Sequence, residues 1–341
     1  SIRPLGTFIV DEAHLVSNPE TKRGTAAATI AGMAKRRLAL TGTPIWNRPV
    51  ALWGVVSLIA PGALGNFYDF ANRYGAPSPT AYGPRWEGIS CEAELRSRMS
   101  EVMFRRRWVD VAEDLPPITR SVIVADVSDA DRRRLDILAA KLKSERTNTA
   151  GNLAAYRRQV TGTKLGTVVA EAQRIMDRGE PVVIWTWHKD YAEKIASALG
   201  ERGVMIHGEI PADLREARIT HWKKQPAHAL VATMAVAQVG LDFSHARIAI
   251  FGEIDYTPAI LAQAEMRTFA PTRGMDIIFV VANHLVDQRI IRALVNKLAA
   301  QDQLGVGAAN DAFDALRDAV MGPEDPGDLD RMLEDMIASM A

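Results

Sequence analysis

LGTFIVDEAHLVSNPETKRG, residues 5–24, runs from a short apolar stretch directly into two carboxylates. Such a stretch, bounded by acidic and turn-forming residues, reads as a buried β-strand with Asp11 and Glu12 at its carboxyl end. Open parallel α/β sheets bind their ligands at that end. One carboxylate there can hold a magnesium ion through water while its neighbour orients or deprotonates an attacking water. His14, two residues on, could hydrogen-bond toward a partner lobe. A solvated acidic turn produces the same letters, Asp-Glu-Ala-His, so this stretch alone leaves both readings open.

Downstream, strands and helices alternate in the manner of an α/β protein. Residues 20–35 are helix-compatible, RRLALTGTP (36–44) is a strand ending in a turn, and PVALWGVVSLIAP (49–61) is an apolar helix. Residues 75–90, rich in Pro, Gly and Ser, read as a loop; residues 91–115 return to helix, and PPITRSVIVADVS (116–128) becomes a strand. The expected division is a first unit over residues 1–127, a charged helical linker over 128–158, a second α/β unit over 159–302 and an acidic tail over 303–341. Strands EPVVIWTW, VMIHG, HALVATMAV, ARIAIFGEI and MDIIFVVAN build the second unit.

Composition narrows the class. Of 341 residues, 48% are apolar and 24% charged, with zero formal net charge, as in ordinary globular proteins. No global basic field advertises nucleic acid, although a local basic cleft is compatible with neutrality. The one cysteine, Cys91, excludes an internal disulfide and fits a reducing compartment. No apolar run reaches the roughly 18–20 residues that a membrane-spanning helix needs. The expectation is therefore an intracellular, cytoplasmic protein without membrane attachment, nuclear in a eukaryotic host. The seven histidines show no ligand-like spacing, so no zinc site is expected.

Two further signals accompany the first. Thr41, Gly42 and Thr43 sit at a second strand end about thirty residues on, where hydroxyls on a tight turn can relay between sites. In the second unit, the strand of HALVATMAV ends near Thr233 and is followed by Gly240, where backbone can approach a phosphate or sugar. Gln263 and Arg267 lie four residues apart, about one helical turn, and face one direction. Arg105 and Arg106 in FRRRW either grip phosphate or form a solvated helix face.

Taken in order, these blocks resemble the Swi/Snf-type ATPases of helicase superfamily two, double-stranded DNA translocases. DEAH is similar to the family's second motif and LALTGTPIWNRPVALWGVVSLIAPG to its third, including Asn47, Leu52 and Trp53. VMFRRRWVDVAEDLPPITR resembles the family's inter-lobe signature, and VVIWTWHKDYAEKIASAL its fourth motif. HGEIPADLREARITHW keeps the spacing of Gly208, Arg215 and Trp222. AQVGLDFSHA and GEIDYTPAILAQAEMR look most like the annealing-helicase branch, which rewinds strands and remodels forks.

The resemblance implies two RecA-like α/β lobes, parallel sheets flanked by helices, with the first lobe truncated. It implies ATP and magnesium as cofactors and double-stranded or forked DNA, without sequence preference, as partner. Asp11 would serve magnesium, Glu12 would activate water, and Arg267 would meet the triphosphate. His14, Thr41, Gly42, Thr43 and Gln263 would couple hydrolysis to lobe movement. Thr186, His188, Thr233 and Gly240 match positions near the DNA track, where contacts go mainly to phosphates.

Two departures stand out. No Gly-x-x-x-x-Gly-Lys-Ser/Thr loop occurs in the sequence; TGTKLGT (161–167) has the letters in another order. The expectation is that this chain alone does not hydrolyse ATP and that the missing part of lobe one is supplied in cis, upstream, or in trans. The sixth motif is also eroded, with Met266 at its acidic position and Ala270 at its second arginine position. Arg273, three residues further on, either substitutes or leaves a degenerate relative acting as a DNA- or partner-binding scaffold.

Overall fold

The strand read from LGTFIV is β1 (Leu5–Val10), the first element of a computed structural model that describes residues 5–45, 50–80, 83–86, 88–106, 116–144 and 149–303. Among the described residues the chain forms two units, one of residues 5–111 together with 296–303 and the other of residues 112–295.

In the first unit, α1 (Lys22–Gly32) connects β1 to β2 (Ala34–Ala39), and the strands pair in parallel from Leu5–Ala34 to Val10–Ala39. Thr21 caps α1, its Oγ1 accepting from the Gly24 N–H at 3.0 Å. Phe8 and Val10 pack with Ala27, Ala31 and Leu58 of α2 (Ala51–Ile59). On the opposite face the registered pair Ile9 and Leu38 stay 58% and 52% exposed. A second core gathers Leu52 and Val56 with Phe70 and Tyr74 of α3 (Phe67–Tyr74) and Leu95 and Met99 of α4 (Glu92–Val102). Gly54 is the point where α2 meets the segment after β1, because a Cβ there would lie 1.8 Å from the Ser17 carbonyl oxygen.

In the second unit, β5 (Ile118–Ala125), β6 (Val182–Thr186), β7 (Gly203–Ile206), β8 (Ala229–Thr233), β9 (Ile248–Phe251) and β10 (Met275–Ala282) form a six-stranded parallel sheet in the order β5-β10-β9-β6-β8-β7. Strands β6, β8 and β9 are buried throughout, the continuous apolar pattern of a sheet covered on both faces. Helices α5 (Asp129–Ser144), α6 (Thr149–Thr163), α7 (Leu165–Asp177), α8 (Lys189–Leu199), α9 (Ala212–Lys223) and α10 (Pro258–Thr268) complete the unit's element order, and α11 (Leu285–Gln303) belongs to it as far as Val295. Val168, Ala172 and Ile175 of α7 and Tyr191, Ala192 and Ile195 of α8 pack on the sheet's central residues.

Four expectations change. The strand in residues 116–128 belongs to the second unit, since β5 pairs with β10 over eight residues, Ile118–Met275 to Ala125–Ala282. Its pairing partner lies about 150 residues away, beyond the reach of local pattern. Residues 128–158 are no linker: Leu135, Ala139 and Tyr156 of α5 and α6 are buried within the second unit. The proline-rich loop at 75–90 contains an antiparallel hairpin, β3 (Pro77–Thr80) and β4 (Gly83–Trp86), steadied by the Trp86 Nε1–H bond to Asn72 at 3.0 Å. Helix α4 ends at Val102, so Arg105 and Arg106 follow the helix; Arg106 sits 5.2 Å from the ring centre of Phe104. Asn47, residues 107–115 and the acidic tail from 304 lie outside the described residues.

Candidate functional site

At the carboxyl end of β1 the backbone turns sharply, and Glu12 adopts a left-handed conformation (φ 48°, ψ 49°). For a residue other than glycine this costs about 1 kcal/mol or more, and such strain gathers at functional sites. Two ladder bonds hold the turn, Leu40 N–H to Val10 at 2.8 Å and Ala13 N–H to Leu40 at 3.0 Å. Asp11 Oδ1 accepts the Glu12 N–H at 2.9 Å. The Glu12 side chain stays 40% exposed. His14 is buried beneath it, with Nδ1 3.3 Å from Glu12 Oε2, 3.0 Å from Thr41 Oγ1 and 3.5 Å from Thr43 Oγ1. Burial pushes the His14 pKa down to about 4, so the ring is neutral near neutrality. A neutral ring facing a carboxylate oxygen carries its proton on Nδ1, where Thr41 Oγ1 accepts it at 3.0 Å and Glu12 Oε2 lies just beyond, at 3.3 Å. Thr41 Oγ1 in turn accepts the Thr43 N–H at 3.1 Å. Asp11, Glu12, His14, Thr41 and Thr43, read from two separate motifs, thus form one constellation.

A single exposed carboxylate with a carboxylate neighbour suits magnesium, which keeps most of its waters and needs few protein ligands. Among the described residues no group of three or more His, Cys, Asp or Glu side chains is placed to enclose a metal ion.

In the second unit, Thr186 and Thr233 are registered partners at the carboxyl ends of β6 and β8. Both side chains are buried, at 0% and 4% exposure. Thr186 Oγ1 has no hydrogen-bond partner among the described residues. Gly240 is exposed and has φ +67°, a left-handed backbone that favours glycine. His188 precedes α8, and its Nδ1 lies 2.6 Å from Glu253 Oε1. Glu253 is buried; burial pushes its carboxyl pKa up, but the His188 contact outweighs this and leaves it below the ordinary value.

Helix α10 carries Gln263, Glu265 and Arg267. Gln263 Oε1 is buried without a partner among the described residues, at a cost of about 1–3 kcal/mol that a ligand or a rearranged state would relieve. Arg267 Nε donates to the Ala237 carbonyl at 2.7 Å, which ties α10 to the turn before Gly240. Arg273 pairs across a tight turn with Ala270 and donates to the Ser244 carbonyl. Bridged residues carry their Cβ atoms about 5 Å apart, so Arg273 grows from beside the eroded arginine position.

Three residues escaped the sequence reading: Glu253, Lys164 and Asp287. Lys164, the lysine of TGTKLGT, is 1% exposed and bonds Asp287 Oδ2 at 2.9 Å, which also accepts the Ala282 N–H at 2.8 Å. Their signal was faint, one charge at the edge of an apolar run, and buried charges are kept only when paired.

Residues 2–173 match the SNF2-related domain, and residues 166–269 match the helicase conserved C-terminal domain. The chain belongs to the SNF2-related family. It is 26% identical over 318 residues to the SWI/SNF-related matrix-associated actin-dependent regulator of chromatin subfamily A-like protein 1 of Xenopus tropicalis, covering 89% of this chain and 34% of that protein. It is 26% identical over 298 residues to the human DNA annealing helicase and endonuclease ZRANB3, covering 82% of this chain and 28% of that protein. The chain thus spans about a third of the length of these relatives. Among solved structures it is similar to the Sulfolobus solfataricus SWI2/SNF2 ATPase core in complex with dsDNA, at 17% identity and a TM-score of 0.45, over 97% of this chain and 72% of that one. No helix among the described residues is long and apolar enough to cross a membrane.

Proposed function

We propose that this chain forms part of an ATP-driven motor that moves along double-stranded DNA and anneals strands or remodels forks. The observation that carries the reading is the linkage of Glu12 through His14 to Thr41 and Thr43, in a chain of the SNF2-related family. Its relatives, a chromatin regulator-like protein and a DNA annealing helicase, support the same reading. Glu12 takes the proton of the attacking water, and Asp11 holds magnesium, which offsets triphosphate charge when bound. His14, Thr41, Gly42, Thr43 and Gln263 pass the change at Glu12 to the rest of the chain. Arg267 and Arg273 supply positive charge to the transition state. His188, Gly240, Arg105 and Arg106 contact DNA phosphates, with Thr186 and Thr233 shaping the strand ends beneath them.

The triphosphate cradle comes from a further part of lobe one, in cis or in trans, because no phosphate-binding loop occurs in these 341 residues. The test is ATP turnover of the chain joined to that part, with and without duplex or forked DNA. Turnover stimulated by DNA and lost on Glu12→Gln is expected; this chain alone hydrolyses nothing. Ala270 favours a second reading, a non-hydrolysing scaffold. That reading prevails if DNA binds while turnover stays at background with the phosphate loop present.

A further inference from the structure

The first unit carries an aromatic surface that none of these roles uses. Phe67 and Tyr68 open α3, Trp53 stands on α2, and Trp86 ends the β3–β4 hairpin. Phe67 meets Trp53, Tyr68 and Trp86 edge to face, with ring centres 5.6, 5.7 and 5.6 Å apart. Tyr68 and Trp86 meet in turn at 6.2 Å and 66°. Phe67, Tyr68 and Trp86 are thus three mutually steep planes, an arrangement that aromatic quadrupoles favour. Tyr68 is 68% exposed, and the other three rings are half-buried.

What this surface can offer a partner is narrow. Both indole N–H groups are engaged inside the unit, Trp53 Nε1 donating to the Gly65 carbonyl and Trp86 Nε1 to Asn72 Oδ1, each at 3.0 Å. The ring faces remain, and the face of an aromatic ring is negative and attracts cations. Asp69, exposed and next to Tyr68, adds a carboxylate. Its Oδ2 accepts from Asn66 Nδ2. Arg73, one helical turn on, and Arg98 pair with Glu94 instead. Nucleic acid would bring its phosphates up to the Asp69 carboxylate, and like charges repel.

The same unit shows such a group completed. The Arg73 guanidinium lies 5.8 Å from the centre of the Tyr74 ring and that of Arg98 lies 6.0 Å from it. Glu94 pairs with both arginines and accepts from Tyr74 Oη. Tyrosine ring, carboxylate and arginine there form one group. Tyr68, Trp86 and Asp69 present rings and a carboxylate on the solvent side of the same helix.

We propose that Tyr68, Trp86 and Asp69 form a docking site for an arginine side chain on a basic segment of a partner protein. The guanidinium stands in the angle between the two rings, and Asp69 accepts its hydrogen bonds. The site lies wholly within the first unit and is independent of the motor reading.

The test uses the full chain at low salt and two fluorescent peptides read by anisotropy. One alternates glycine with arginine; the other alternates glycine with citrulline, which keeps the shape of arginine and loses its charge. The arginine peptide should bind about tenfold more tightly than its citrulline counterpart. Tyr68→Ala should weaken arginine-peptide binding about threefold to fivefold, and Tyr68→Phe, which keeps the ring face, less than about twofold. Asp69→Asn should weaken it about twofold to fivefold, an effect that fades as salt is added. Equal binding of the two peptides, unchanged binding in Tyr68→Ala, or no binding of the arginine peptide overturns the proposal. A single-stranded oligothymidylate should bind wild type and Tyr68→Ala alike; loss of its binding in Tyr68→Ala gives the rings to bases and overturns the proposal too. Should Tyr68→Ala not fold, the other two variants decide. Weaker binding in Asp69→Asn beside retained binding in Tyr68→Phe supports the site, and any other pattern overturns it.

Discussion

Glu12 Oε2 and His14 Nδ1 lie 3.3 Å apart, which brings a buried imidazole to the candidate catalytic carboxylate. The contact is possible because left-handed backbone at Glu12 turns its side chain back over the buried ring. The groups proposed for hydrolysis and for coupling therefore share one short path, from Glu12 through His14 to the threonine turn.

The first prediction concerns that path. In the motor with its phosphate loop present, Glu12→Gln should lower ATP turnover by about 100-fold or more while duplex affinity stays near that of wild type. Steady-state turnover and duplex titration, run side by side, check it. Thr41→Val should keep ATP binding and weaken the stimulation of turnover by DNA, because it removes the hydroxyl that His14 meets at 3.0 Å.

Acid should weaken the first unit. The unfolded chain binds a proton at His14 as pH falls through 6.5, and the folded chain only near 4. Between those values the unfolded state holds more protons, so stability falls as pH drops through that window. The ceiling is about 3 kcal/mol for this one group. Urea unfolding at a series of pH values measures it, and His14→Gln should flatten the profile.

A third prediction follows from the Arg120–Glu265 pair, at 2.8 Å with Glu265 buried. Burial pushes the Glu265 carboxyl pKa up, and Arg120 opposes the shift. Arg120→Ala should cost about 3–5 kcal/mol, since it strands a buried carboxylate. For the same reason a fragment beginning at residue 112 should unfold cooperatively, whereas one beginning at 128 lacks β5 and should melt lower and aggregate. Calorimetry on the two fragments separates them.

Lys164→Met should destabilise the second unit by about 3 kcal/mol by leaving Asp287 buried without its cation. Adding Asp287→Asn should recover much of the loss, because the amide oxygen still accepts the Ala282 N–H. Denaturant midpoints of the single and double variants give the comparison.

The eroded motif yields a fifth prediction. With Arg273 opposite Ala270, Arg273→Ala should reduce turnover at least tenfold at unchanged stability, and Ala270→Arg in that variant should restore part of it. Single-turnover kinetics distinguish this from a change in ATP affinity.

Much of the architecture was legible in the residues. Apolar runs such as VVIWT and ALVAT, bounded by polar turns, named their own strands. The hairpin at 77–86 was missed because Pro, Gly and Ser speak for turns, while pairing of Ser78 with Arg85 is a cross-strand property. β5 was recognised as a strand but assigned to the wrong unit, since periodicity tells a strand that it has neighbours and not which ones. In the site, the Asp-Glu-Ala-His and Thr-Gly-Thr-Pro groups could be read as letters. Glu253 could not, because its importance lies in converging bonds from residues 161, 187 and 188.

The sequence by itself determined the family's motif order, the strand end at Asp11 and Glu12, and the absence of a phosphate-binding loop in these residues. These are local facts, carried by side-chain chemistry and short-range periodicity. Only the tertiary structure decided that His14 lies between Glu12 and Thr41, that Ile118–Ala125 closes the edge of the six-stranded sheet, and that Glu253 is buried against His188 and Lys164 against Asp287. Pairing across long chain separations follows from which surfaces exclude water together, and no short window of residues contains that information.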